Sequence, residues 1–333
     1  MNVILEKLYQ SKILTKLESY QLFENIINGQ LSSIQLTAAL IAMKTRGESQ
    51  EEILGAVKAL LDNAKPFPRP KYIFADIVGT GGDLSRSLNI STASALVAAS
   101  CGLKIVKHGS KGNANNFGSS ETLTSLGINL NITPDNARKI LDELNICFIF
   151  APIYHTGFYH AIEVRQQLKT RTIFNILGPL VNPARPPLSV VGVYSPKLLL
   201  PVINILKVLE YKRAIVVHGG GMDEVILHDI NHVAELQNGK ITLYHLTAKD
   251  FGFKYHSNIK ALTVNSIEES CNSFIKLIKG YGNTLHEETI AANVALLLKI
   301  FGYENLRDNA QHALNIIHSG QVYKLLLALA SRG

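Results

Sequence analysis

The sequence predicts an α/β protein in which a small helical domain is hinged to a large α/β domain with a mostly parallel central sheet. Three observations predict it. Residues 1–64 carry helix signals throughout and no strand signal. From Lys71 onward, short apolar runs alternate with helical segments. Between the two stands Lys65-Pro66-Phe67-Pro68-Arg69-Pro70, whose prolines cannot continue a helix and favour extended backbone. A chain of 333 residues also exceeds the usual size of a single core. The expected division is a helical domain at 1–65, joined by part of 153–187, a hinge at 66–70, and a large domain at 71–333.

In the helical part, capping boxes set the helix starts at Thr15 with Glu18, Ser32 with Gln35, and Ser49 with Glu52. Gly29 and Gly47 fall where helices should stop. In the large part, continuous apolar runs at Tyr72–Val78, Leu103–Lys107, Cys147–Ala151, Leu188–Tyr194 and Ala214–His218 read as strands buried on both faces. Helices are expected at Thr92–Ser100, Pro134–Leu144 and Pro196–Leu209, which makes the connections right-handed crossovers. Residues 153–187 interrupt this alternation. The tail carries a hairpin (Val233–Leu236 with Lys240–Tyr244, turning at Asn238-Gly239), helices at about 266–279 and 286–301, and a terminal helix ending near Ala330. Strand order cannot be read from these signals.

Composition narrows the function classes. With 47% hydrophobic and 18% charged residues the chain has ample core material. It lacks the run of about eighteen apolar residues that a membrane span requires. The start MNVILEKLYQSKIL carries Glu6 and has no cleavage-site pattern, which argues against a secretory signal. Cys101, Cys147 and Cys271 are odd in number and widely spaced, so they read as reduced thiols of a cytoplasmic protein. The net charge of +7 comes from scattered Lys and Arg, with no basic stripe and no Trp. That pattern disfavours nucleic acid as the partner and leaves a polyanionic small molecule.

Between Asp76 and Glu121 lie three donor-rich turns at strand ends. Gly79-Thr80-Gly81-Gly82-Asp83 cannot be a dinucleotide fingerprint, because the position of the third glycine is Leu84. Its glycines can turn N–H groups toward an anion while Asp83 suits hydroxyls or a metal, so a sugar phosphate or diphosphate satisfies both; an ordinary strand-to-helix turn is the alternative. Asn89, Ser91 and Thr92 open a helix whose N-terminus can cup a phosphate, or they simply cap it. Lys107-His108-Gly109 ends a strand, with Lys107 a point charge for phosphate and His108 free to be structural. His218-Gly219-Gly220-Gly221 looks like a hydrolase oxyanion loop, but no G-x-S-x-G accompanies it. The adjacent carboxylates Asp223 and Glu224 suit Mg²⁺ shared with a diphosphate, or a solvated acidic turn. His228 and His232 have no third ligand for zinc.

Taken together, DIVGTGGD, NIST, KHG, GSSETLTSLG, RTIFNILGPLVNPA and GMDEV resemble the anthranilate phosphoribosyltransferase family in this order, over nearly the whole chain. The resemblance implies the fold shared with class II nucleoside phosphorylases, with the active site in the cleft between the domains. It implies a homodimer built through the helical domain, and up to two Mg²⁺ ions. It implies that Gly79, Thr80, Gly81, Gly82, Asp83, Ser87, Asn89, Ser91, Thr92, Lys107, His108, Gly109 and Ser119 bind 5-phosphoribosyl 1-diphosphate. Ser91, Asp223 and Glu224 would bind Mg²⁺. Gly79, Ser110, His155 and Arg165 would meet anthranilate, Arg165 through its carboxylate.

The chain departs from the family pattern in places. Ser110 and Lys111 replace Asn-Arg after KHG, Ala114-Asn115 replace two serines, and His155-Thr156-Gly157-Phe158 replaces His-Pro-Ala-Met. The donor and Mg²⁺ positions match, whereas these departures surround the acceptor. A phosphoribosyltransferase with another aromatic or amine acceptor, a nucleoside phosphorylase and a non-catalytic nucleic-acid-binding relative are the alternatives. The intact GTGGD and Asp223-Glu224 speak against the last two.

Overall fold

The computed structural model describes residues 1–81, 88–110, 119–257 and 266–332, leaving aside the side chains of Ser119 and Ile267. The chain divides into two compact units, Met1–Pro66 with Ala151–Arg185, and Phe67–Phe150 with Pro186–Gly333.

The first unit is helical. Its helices Lys16–Ile27, Ser33–Arg46 and Gln50–Asp62 begin at Thr15, Ser32 and Ser49, and at each the cap and its third-position partner bond reciprocally. The capping boxes read from sequence therefore mark the true starts. Helices Lys16–Ile27 and Gln50–Asp62 touch backbone to backbone at Gly55, where a Cβ would lie 2.3 Å from Lys16 O. Glu52, fully buried, accepts from the N–H of Leu14 (3.0 Å) and of Ser49 (2.8 Å) and from Arg46 (2.6 Å). The returning segment adds helices Tyr159–Leu168 and Ile173–Leu177. Phe174 stacks edge-on against Phe23 at 5.8 Å and Phe158 at 5.7 Å.

The second unit is built on a seven-stranded sheet of order β3-β2-β1-β4-β5-β6-β7. The strands are β1 Ala75–Gly79, β2 Ile105–Gly109, β3 Ile146–Phe150, β4 Leu188–Gly192, β5 Arg213–Gly219, β6 Asn231–Gln237 and β7 Lys240–Leu246. Strands β1 to β5 run parallel, and β6 and β7 add antiparallel to the β5 side. Helix Thr284–Ile300 is buried almost all round and packs on Ile90–Ser100, β4 and β5. That explains why neither helix shows a clear polar stripe in sequence.

Some boundaries differ from the sequence expectation for local reasons. The strand expected from Tyr72 starts at Ala75, where pairing with both Ile105 and Leu188 begins, while Ile73 stays exposed. The helix expected over Pro196–Leu209 opens with a tight turn, Pro196–Leu198, before Leu199–Val208. The terminal helix is two, Leu306–His318 and Gln321–Ala330, broken at Gly320 with φ +73°. The three cysteines are unpaired, and burial pushes the Cys101 thiol up to about 12. No helix among the described residues is long and apolar enough to cross a membrane.

Candidate active site

The strand order reverses between β1 and β4: from β1 the chain builds outward through β2 and β3, then returns to β1's other side with β4. At such a switch point the carboxyl ends of neighbouring parallel strands diverge and leave a crevice, where open α/β sheets bind ligands. Here those ends are Gly79 and Gly192, which are register partners. Both are pressed by one residue. A Cβ on Gly79 would lie 2.3 Å from Asp223 Oδ2, and one on Gly192 would lie 1.5 Å from Asp223 O. Only glycine lets the loop carrying Asp223 seat this low on the sheet.

The Asp223 carboxylate also accepts a hydrogen bond from Gly81 N–H at 2.6 Å. The glycine turn after β1 and the acidic pair after β5, 142 residues apart, thus form one structure. Thr80 serves that structure rather than facing outward: its hydroxyl accepts from Tyr194 N–H at 3.0 Å, and its N–H donates to Gly192 O at 3.0 Å. Gly82, Asp83 and Ser87 lie outside the described residues, as do Lys111, Ala114 and Asn115.

Lys107, expected as a point charge for phosphate, is 2% exposed, and its Nζ donates to Ile77 O of β1 at 2.8 Å. Burial lowers its pKa, and the carboxylates of Asp76, Glu224 and Asp223 act in the opposite direction. Among the described residues no group of three or more His, Cys, Asp or Glu converges to hold a metal alone. Mg²⁺ takes one or two carboxylates and completes its shell with water and phosphate oxygens, a chemistry that Asp223 and Glu224 suit. Asp76 is the residue that sequence reasoning passed over, and an Asp inside an otherwise apolar strand was its signal. It accepts from His108 N–H at 3.3 Å, and His108 is itself buried.

Helix Ile90–Ser100 begins beside this site in sequence, with half-buried Ser91 in its first turn. Asn89 does not cap it; its side chain donates to Thr122 Oγ1 at 2.6 Å. Thr92 N–H donates to Asn89 O at 3.1 Å, and the N–H groups of Ile90 and Ser91, with no side-chain cap from Asn89, are the ones open to an anion. Thr92 Oγ1 is buried with no hydrogen-bond partner among the described residues. Ser119 begins helix Ser119–Ser125, and exposed Ser110 accepts at its carbonyl from the Ser120 hydroxyl at 3.4 Å. Gly109 ends β2 opposite Phe150.

In the helical unit, Arg165 is half-buried and its guanidinium lies 5.0 Å over the Phe174 ring. Burial lowers its pKa, and no carboxylate among the described residues pairs with it. A buried cation without a counter-charge is costly unless an anion arrives to meet it. His155, expected to meet the acceptor, is 3% exposed instead. Its Nε2 lies 2.8 Å from Val181 O, and burial holds its pKa down to about 4. It is a packed, neutral histidine.

Residues 2–64 match the family described as "Glycosyl transferase family, helical bundle domain", and residues 71–323 the family described as "Glycosyl transferase family, a/b domain". A protein of Erwinia tasmaniensis named anthranilate phosphoribosyltransferase is 61% identical over the full length of both chains. One of Serratia proteamaculans with the same name is 59% identical over the full length of both. The chain belongs to the anthranilate phosphoribosyltransferase family. A Thermus thermophilus structure of an anthranilate phosphoribosyltransferase superposes with a TM-score of 0.91 at 32% identity, covering 99% of this chain and 98% of the other. A Saccharomyces cerevisiae anthranilate phosphoribosyltransferase in complex with PRPP and Mg superposes at 0.90 with 25% identity, covering 99% and 96%.

Within the anthranilate phosphoribosyltransferase family, the departure at His155-Thr156-Gly157-Phe158 has a packing cause. A Cβ on Gly157 would lie 2.3 Å from Ile27 Cγ2 and 2.9 Å from Ile27 O. Alanine, the residue of the family pattern, does not fit against Ile27. Phe158 stacks on His155 at 5.1 Å and on Phe174, the ring beneath Arg165. Of the altered tetrad His155 is buried, Gly157 and Phe158 are half-buried and Thr156 is exposed.

Proposed function

We propose that this chain catalyses Mg²⁺-dependent transfer of phosphoribose from 5-phosphoribosyl 1-diphosphate to anthranilate, giving N-(5-phosphoribosyl)anthranilate and diphosphate in tryptophan biosynthesis. The observation that carries this reading is the tether between the glycine turn after β1 and Asp223 at the sheet's switch point, with Glu224 beside it in sequence. A nucleoside phosphorylase has no need for that acidic pair. The names of the 61% and 59% identical relatives support anthranilate over another amine as the acceptor.

Displacement at C1 of the ribose passes through an oxocarbenium-like state and needs no covalent nucleophile. The work is orientation and charge stabilisation. The backbone of Gly79 to Gly81, continuing into Gly82 and Asp83, holds the diphosphate and ribose. The N-terminal turn of Ile90–Ser100, with Ser91, takes the 5-phosphate. Lys107, whose Nζ is held on Ile77 O, tempers the repulsion among Asp76, Asp223 and Glu224. Asp223, Glu224 and Ser91 would hold Mg²⁺, which when bound supplies positive charge against the leaving diphosphate. Arg165 meets the anthranilate carboxylate, an anion for a guanidinium that pairs with no carboxylate among the described residues.

Exposed Val3 (72%), Ile13 (61%), Leu17 (65%) and Ile34 (82%) on the helical unit support a homodimer formed through it. The hinge belongs at Pro66–Pro70, where the chain first passes from one unit to the other. Cytoplasmic location follows from the reaction's substrates and the unpaired thiols.

The test is a fluorescence assay: purified protein with 5-phosphoribosyl 1-diphosphate and Mg²⁺ should consume anthranilate. Arg165→Ala should raise KM for anthranilate roughly 10–100-fold, the equivalent of one charge-assisted hydrogen bond, and leave KM for the donor unchanged. Persistent anthranilate fluorescence, with diphosphate released to a different amine, would overturn the acceptor assignment.

A further inference from the structure

Asp223 and Glu224 follow a turn that its own backbone closes, Gly219 N–H donating to Met222 O at 3.1 Å and Met222 N–H to Gly219 O at 2.7 Å. Gly220 and Gly221 lie within that turn, with φ of +48° and +91°. Glycines lose the most conformational freedom when they are fixed, so part of the geometry beyond the turn is imposed from outside. On the upstream side His218 imposes it. Its Nδ1 lies 2.7 Å from Val193 O and its Nε2 accepts from Gly221 N–H at 3.3 Å, an arrangement that puts the ring proton on Nδ1.

On the downstream side the hold comes from Asn293, on helix Thr284–Ile300, 68 residues away in sequence. Asn293 Oδ1 accepts from Val225 N–H at 3.1 Å. Its Nδ2 donates to Val225 O at 3.0 Å and to Thr289 O at 2.9 Å. One side-chain amide thus pairs with both backbone groups of the residue that directly follows Glu224. The two Val225 bonds also fix which end of the amide is oxygen. Asn293 is 2% exposed and Val225 is fully buried, so water does not replace this pairing. Thr289 O anchors the amide to its own helix, whose burial makes it a rigid support. Asn231 treats the next residue in the same way, bonding Ile226 N–H at 2.8 Å and Ile226 O at 2.9 Å, but it lies inside β6 and also ties Leu246. Gly81 N–H holds the Asp223 carboxylate itself, and Asn293 holds the backbone directly after Glu224 from a separate element.

We propose that Asn293 is a positioning residue for the transfer reaction: by clamping Val225 it sets the backbone after Glu224, and through it the aim of the Asp223–Glu224 pair. This rests on the reading that the pair binds Mg²⁺. Asn293 touches neither the metal nor the substrate. Its influence is that of a residue one step behind the ligands, where loss costs about 10–100-fold in metal affinity.

Asn309 supplies the comparison. It too is a buried asparagine, donating to Ala295 O at 3.3 Å and Tyr303 O at 2.6 Å, and it bonds no residue of the loop. Mn²⁺ alone is titrated into wild type, Asn293→Ala, Asn309→Ala and Asp223→Asn, with free Mn²⁺ read by its paramagnetic resonance signal. Asn293→Ala should weaken Mn²⁺ binding about tenfold or more and raise the Mg²⁺ concentration for half-maximal turnover, with KM for anthranilate unchanged. Asn309→Ala should bind Mn²⁺ as wild type does, even with a lowered melting temperature. Wild-type Mn²⁺ affinity in folded Asn293→Ala, or equal weakening in Asn309→Ala, overturns the proposal. If Asn293→Ala does not fold, Asn293→Ser carries the same measurement with the same expected direction. Asp223→Asn separates the two failures: Mn²⁺ affinity undiminished there removes the metal assignment itself, and the positioning role with it.

Discussion

A methyl group on Gly192 would lie 1.5 Å from Asp223 O and 2.4 Å from its carbonyl carbon, and backbone atoms cannot rotate aside as a side-chain tip can. Gly192→Ala should therefore lift the acidic loop off the sheet. The expected result is roughly 1–3 kcal/mol of lost stability and at least a hundredfold loss of turnover, read by thermal denaturation and the anthranilate assay. His155 makes a different residue-scale prediction. In the unfolded chain it titrates near 6.5, and in the folded protein near 4 because burial opposes its charge. Between those values the unfolded state binds a proton that the folded state does not. Its contribution to stability is complete above pH 6.5 and declines as pH falls toward 4, by on the order of 3 kcal/mol. His155→Gln should flatten that part of the pH dependence in urea melts between pH 7 and 4. His155 and Lys107 are both visible in sequence as candidate ligands, but whether a cation faces the crevice or the back of a strand depends on neighbours the local sequence does not name.

At the scale of elements, the helix starts were legible because a capping box is local: the Ser or Thr and its Glu or Gln partner stand three residues apart and satisfy one another's backbone. Gly55 shows where local reasoning stops. A glycine in mid-helix costs about 0.5–1 kcal/mol relative to alanine, so propensity alone says Gly55→Ala should stabilise. The Cβ would instead meet Lys16 O at 2.3 Å and Tyr20 N at 2.8 Å, both backbone atoms of the facing helix. Gly55→Ala should lower the urea midpoint and the melting temperature; a rise in either would contradict the packing argument. Strand ends follow the same division. β1, β2, β4 and β5 each finish in glycine, at Gly79, Gly109, Gly192 and Gly219. The first two are marked as ligand turns by their sequence neighbours. Gly192 goes unmarked because nothing beside it in sequence is charged, and Asp223 reaches it only through the fold.

At the scale of the whole molecule, strand order placed the site. The apolar runs announced a buried parallel sheet, but the reversal between β1 and β4 depends on which strands pair, and each run is compatible with many neighbours. The helical unit is also assembled from separated stretches, Met1–Pro66 and Ala151–Arg185. The second was noticeable only as an interruption of the strand–helix alternation. The unit's exposed apolar residues give the remaining prediction. Under the proposed dimer formed through this unit, wild type should sediment as a dimer and Leu17→Asp combined with Ile34→Asp as a monomer in analytical ultracentrifugation, with the far-ultraviolet spectrum preserved. An unchanged dimer would place the interface elsewhere.

The sequence by itself determined the fold class, the helix starts, the buried strands, the glycine turn and the acidic pair, because each is carried by residues within a few positions of one another. Only the tertiary structure decided that Asp223 bonds Gly81, that Lys107 donates to Ile77 O, that Gly157 makes room for Ile27 and that Asn293 clamps Val225. The physical reason is the range of the interactions. Capping and periodicity act along the chain, whereas steric fit and buried hydrogen-bond pairing act between segments that meet only when the sheet has closed its order.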